Sequence, residues 1–202
     1  MTRSTWLFGI LLLGGCAVTT VPDQTWHRLP PPPAVTKATV ALDMPVVVTG
    51  FDADGIYADQ ALVYALDPDS RQVRQYHYQL WVDPPVRILQ RRLVERLRQA
   101  ALADVVTDEL PASVPALRIK GTILRFDRAP LAEGGVAAMV TLRFRVDAPD
   151  HPLLLDRIHR IETPAEDGSI GAFSEALAAG VDEAFAVLQA DLEHAAGALH
   201  AR

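Results

Sequence analysis

Cysteine is almost missing from this chain: a single thiol, Cys16, stands among 202 residues. One cysteine excludes an intramolecular disulfide, so the fold must stand on packing, and a zinc site would need distant carboxylates and histidines. The six histidines, His27, His77, His151, His159, His194 and His200, contain no pair at the spacing of a zinc-binding helix. Long hydrophobic runs are missing as well. The apolar stretch from Trp6 to Leu13 has about 8 residues, whereas a membrane-crossing helix takes about 20. Positive charge is in deficit, with 19 Lys and Arg against 25 Asp and Glu and a formal net charge of −6. That balance argues against nucleic acid, whose binding is driven by cations displacing counterions from phosphates, and it also disfavours adhesion to anionic headgroups. Catalytic constellations are lacking too. Gly168-Ser169-Ile170-Gly171 does not have the spacing of a nucleophile elbow, and no glycine loop is arranged to cradle a phosphate. Asp52, Asp54 and Asp59 are not followed by the bidentate glutamate of a calcium loop. No catalytic residue, no metal and no cofactor is therefore expected.

What is present starts with the placement of that one thiol. Cys16 closes Leu13-Gly14-Gly15-Cys16 directly after the apolar stretch, and residues 1 to 5 carry Arg3 and no acid. Small residues ending a short hydrophobic segment mark a signal-peptidase site, and a cysteine there resembles a bacterial lipobox, in which the thiol is acylated and becomes the new N-terminus. Residues 1–15 then form a signal peptide. Their loss removes Arg3 and no acid, and takes the net charge from −6 to −7. Ala17, rather than Asp, follows the cysteine and points to sorting onward to the periplasmic face of the outer membrane. Residues 16–37 lack apolar periodicity and contain Pro30-Pro31-Pro32-Pro33, so they read as a lipidated N-terminus and a semi-rigid, polyproline-type spacer of up to about 60 Å.

Residues 38–202 form one domain. Apolar, β-branched segments at 39–42 and 45–51 lead to a hairpin made of 61–66 and 73–81, turned by Asp67-Pro68-Asp69-Ser70. In its second arm Tyr76 and Tyr78 alternate with His77, Gln79 and Trp81, which places rings on both faces. Pro84-Pro85 opens a helix with Val86, Leu89, Leu93 and Leu97 inward and Arg87, Arg91, Arg92, Glu95 and Arg98 on a solvated face. A strand follows with Leu117, Ile119, Gly121 and Ile123 on one face, and the shift to Leu124 and Phe126 predicts a bulge near 123. Gly134-Gly135 turns into a strand alternating Val140, Leu142, Phe144 and Val146 with Thr141, Arg143, Arg145 and Asp147. After a last strand near 155–163, Ser169 caps a long helix striped by Phe173, Leu177, Val181, Phe185, Leu188 and Leu192, with Asp182 and Glu193 off the stripe. The expected class is α+β: a mainly antiparallel sheet packed by two helices, including a long C-terminal one.

The order of these segments resembles a known family. Tyr76-His77-Tyr78-Gln79-Leu80-Trp81-Val82-Asp83-Pro84-Pro85, the arginine-bearing helix, Leu117-Arg118-Ile119-Lys120-Gly121-Thr122-Ile123-Leu124-Arg125-Phe126-Asp127, a hairpin and an alanine-rich C-terminal helix are similar to the auxiliary lipoproteins of ABC-type envelope transporters, the PqiC-like family. The resemblance spans about 38–196. It implies a non-enzymatic, outer-membrane-anchored periplasmic lipoprotein working with an MCE (mammalian cell entry) substrate-binding protein, a permease and an ATPase to move lipids or other apolar molecules. Tyr76, Tyr78 and Trp81 are the expected partner-binding residues, since a sheet needs only one apolar face for its own core and rings are favoured at interface hot spots. The partner they meet is an MCE protein or a second copy in a homo-oligomer. A periplasmic carrier that encloses an apolar ligand in its own cavity is the alternative.

Overall fold

The computed structural model describes residues 22–200, with side chains to 196. Cys16 and the signal peptide lie outside the described residues. The strands are β1 (Thr25–His27), β2 (Val46–Val48), β3 (Asp52–Ala53), β4 (Ala61–Ala65), β5 (Val73–Trp81), β6 (Val106–Thr107), β7 (Leu117–Pro130), β8 (Val136–Ala148) and β9 (His151–Pro164). Two α-helices, α1 (Pro85–Gln99) and α2 (Ile170–His200), complete the fold.

All nine strands belong to one sheet, built around β7. Along one side β7 pairs antiparallel with β8, which pairs antiparallel with β9. Along its other side it takes three short strands in turn, each parallel to it: β2 at Leu117–Ile119, β3 at 122–123 and β4 at 127–128. The pairings β1–β5 and β2–β6 are parallel as well, while β4–β5 is antiparallel. The sheet is thus mixed, which corrects the expectation of a mainly antiparallel one. Alternation identifies a strand and its buried face but carries no information on the partner's direction. Parallel pairing needs a crossover connection, and here β5 and α1 carry the chain back so that β7 runs alongside β4 in the same sense. Residues 39–42 also depart from the reading as a strand, making only an isolated bridge between Leu42 and Ala103.

The core follows the sequence pattern closely. Ile119, Ile123, Val140, Leu142, Phe144 and Val146 are buried against Phe173, Leu177, Val181, Phe185 and Leu188 of α2. The β7–β8 register shifts between Ile123 and Arg125, where the switch of apolar phase places a bulge. Gly121 is dictated by packing: a Cβ there would lie 2.3 Å from Cε1 of Phe51, whose ring meets Phe144 and Phe185 edge-on at 6.1 and 6.4 Å. Ser169 caps α2 as the sequence predicts, its Oγ accepting from the Ala172 amide at 3.1 Å.

The proline-rich segment is not a free spacer over residues 25–37. It is laid along the domain as a strap. β1 adds to β5, Leu29 and Ala38 pack on the core, Arg92 Nη1 donates to the Pro30 carbonyl at 2.6 Å, and the Ala38 amide donates to Ala100 O at 2.7 Å. Gln189 of α2 donates to Thr36 O at 3.3 Å, and Glu193 accepts from the Thr39 amide at 3.0 Å and the Thr39 hydroxyl at 2.6 Å. Polyproline exposes carbonyls that lack internal partners, so the side chains of both helices can hold it down.

Arg92 is likewise misplaced by periodicity. It is 8% exposed and forms a bidentate pair with Asp182, Nε to Oδ1 at 2.7 Å and Nη2 to Oδ2 at 2.6 Å. Both residues sit at the margin of their apolar stripes, and the strap closes over that margin.

Candidate functional site: an aromatic cleft on the β4–β5 hairpin

The β4–β5 hairpin is irregular. Ala61 pairs with Leu80 while Val63 already pairs with Gln75, so two steps along β4 match five along β5. The surplus falls on Tyr76-His77-Tyr78-Gln79, and a bulge of this kind re-aims side chains out of the regular alternation. An open cleft of about 580 Å³ results, lined by Ala61, Tyr64, Arg74, Gln75, Tyr76, His77 and Leu80. The rings of Tyr64 and Tyr76 meet within it, centroids 4.5 Å apart. No carboxylate lines the cleft, so Arg74 and His77 make it a basic, aromatic recess in an acidic protein.

The three residues expected to bind a partner are not brought together. Tyr76 is half-buried in the cleft, and Tyr78 is half-buried with its ring 6.3 Å from that of His77. Trp81 is 1% exposed and lies 6.0 Å from the Phe126 ring, centroid to centroid. It is a core residue and cannot offer its indole to a partner. Tyr64, Arg74 and Trp26 take its place on the surface. Trp26 pairs in register with Leu80, which lines the same cleft. The triplet Thr25-Trp26-His27, prone to β structure, is the one local signal that could have singled out Trp26 within an aperiodic segment.

Beneath the hairpin lies a polar cluster that braces it. Asp127 of β7 is fully buried and accepts from the Tyr57 hydroxyl at 2.6 Å and from Arg125 Nε at 3.1 Å. Burial, and then the bond to Asp127, push the Tyr57 phenol above its ordinary range, so it stays a neutral donor. Arg125 also donates to the Ser70 hydroxyl at the tip of the hairpin, where Ser70 holds φ at 54°. Ser70 has a guanidinium beside it and no base, so the cluster braces the turn and does not activate a nucleophile. Among the described residues no group of three or more His, Asp or Glu side chains is placed to hold a metal ion. No helix among them is long and apolar enough to cross a membrane.

Residues 27–192 match the family described as ABC-type transport auxiliary lipoprotein component. Two crystal structures share the fold. One is a Xanthomonas campestris protein assigned to DUF330, with a TM-score of 0.71 and 14% identity, covering 82% of this chain and 92% of its own. The other is an uncharacterized protein with a TM-score of 0.66 and 16% identity, covering 83% of this chain and 97% of its own. No curated protein matches.

Proposed function

The chain belongs to the ABC-type transport auxiliary lipoprotein component family, and from that premise we propose that it is a lipid-anchored adaptor which docks an MCE-type partner through the aromatic cleft of β4 and β5. In this reading Cys16 is acylated and held at the periplasmic face of the outer membrane. The partner is an MCE substrate-binding protein served by a permease and an ATPase, and the cargo is lipid or another apolar molecule. The chain performs no chemistry of its own.

The observation that carries the docking role is the recess of Tyr64, Tyr76, Arg74 and His77, free of carboxylates, on an otherwise acidic chain. Tyr and Arg are the residue types that anchor interface hot spots, and a bulged hairpin braced by hydrogen bonds from beneath has less freedom to lose on binding. A carrier that encloses its own ligand is less well supported, because Phe51, Phe144 and Phe185 fill the space between sheet and α2. A photo-crosslinker at Tyr78 in intact envelopes is expected to trap an MCE protein or a second copy of the chain, and Tyr76→Ala to abolish the product while the domain stays folded. Recovery of a monomer alone, with a lipid bound inside it, would replace the adaptor by the carrier.

A further inference from the structure

Because residues 25–37 are bound to the domain, the tether is short. Eight residues lie between Cys16 and Thr25, and the nine steps from one to the other, at the extended limit of roughly 3.3–3.6 Å each, reach about 30 Å. The strap therefore halves the stand-off that a free spacer would allow. In the lipid-anchored reading, the start of β1, the outermost strand on its side of the sheet, is held within that distance of the membrane.

That edge has the chemistry of a membrane interface. Trp26 is 50% exposed, more than any other large apolar side chain among the described residues, and Val82, 37% exposed, donates its amide to the His27 carbonyl next to it. Arg28, Arg87 and Arg91 are exposed around them. The acids nearby are Asp83, which Arg91 pairs, and the exposed Asp23 and Glu95. An indole with its ring in the headgroup layer and its N–H toward water, flanked by arginines whose stems lie along apolar surface, is the arrangement that aromatic belts and snorkelling side chains adopt. The net acidity of the chain opposes adhesion of the whole molecule, but this edge is locally balanced, Arg28, Arg87 and Arg91 standing against Asp23, Asp83 and Glu95, and the tether limits how far it can stand from the bilayer.

Resting on the lipid-anchored reading above, we infer that the β1 edge, with Trp26 as its wedge and Arg28 beside it, lies on the phospholipid surface to which Cys16 is tethered, and so fixes the orientation of the domain. The aromatic cleft, whose lining residue Leu80 pairs with Trp26, then opens next to the membrane, where a partner approaching from the periplasm meets it.

The sole thiol makes the test direct. The chain beginning at Cys16 is coupled through that thiol to maleimide-bearing lipid in vesicles of phosphatidylethanolamine and phosphatidylglycerol that contain headgroup spin-labelled lipid. Its two tryptophans are Trp26 and the buried Trp81, so Trp81 supplies an unquenched reference. The Trp26 share of the emission is expected to shift to shorter wavelength and to be quenched by the spin label. Trp26→Phe should remove that quenching, and Arg28→Glu should weaken it. Emission equal to that of the uncoupled protein, without quenching, would overturn the inference, as would quenching that persists in Trp26→Phe. Since the tether is supplied chemically, neither result depends on acylation of Cys16, which the mass of the native protein reads separately.

Discussion

Single residues in this protein carry more than their place in a pattern suggests, and Arg92 is the clearest case. Its guanidinium spends all its reach on two oxygens of Asp182 and one carbonyl of the strap. Removing one partner of a buried pair leaves an uncompensated charge, so Asp182→Ala should cost about 3–5 kcal/mol. Replacing both partners by apolar residues of similar size, Arg92→Met with Asp182→Leu, should recover much of that loss, because no charge is then left buried. Urea midpoints of the two single variants and the double variant measure the coupling, and strictly additive losses would show that the pair acts as two independent surface charges.

At the scale of elements, the strap is the unit with a distinct fate. Glu193 lies off the apolar stripe of α2 and would be near neutral to replacement on a solvated face, yet it receives both the amide and the hydroxyl of Thr39 and the Gln189 side chain at 3.0 Å. Burial works against its charge, and these donors more than offset it, so its carboxyl is held below the ordinary range and stays ionised. Glu193→Ala is therefore expected to free the end of the strap, seen as faster tryptic cleavage after Lys37 with little change in global unfolding. Phe185→Ala, by contrast, removes a fully buried ring that contacts Phe51 and Phe144, and should cost about 3–5 kcal/mol of global stability. A cleavage rate at Lys37 that is the same in wild type and Glu193→Ala would place the latch elsewhere.

For the whole molecule, anchoring and docking are separate physical events. In the lipid-anchored reading proposed above, acyl chains hold it at the membrane, since each buried methylene contributes about 0.8 kcal/mol, whereas the folded domain contributes orientation. Cys16→Ser should release a folded protein into the soluble fraction of disrupted cells, with a mass lacking acylation and an unchanged thermal midpoint. Retention of that variant with outer membranes would mean that a protein partner, rather than the lipid, is the main anchor.

Much of this was legible in the amino-acid order. Alternation in Val140–Val146 and the three-to-four spacing from Phe173 to Leu192 placed the buried faces of β8 and α2, because apolar burial acts residue by residue and leaves its period in the chain. The hairpin turn at Asp67–Ser70, the bulge near Ile123, the cap at Ser169 and the family resemblance were likewise local. Strand direction, the strap, the Arg92–Asp182 pair and the burial of Trp81 were not. Each depends on which surface arrives from elsewhere in the chain: β5 and α1 decide that β4 runs parallel to β7, both helices decide that a proline segment stops being a spacer, and Phe126 decides that the indole of Trp81 belongs to the core. Periodicity tells a side chain which way to face, and only the assembled fold decides what it then meets.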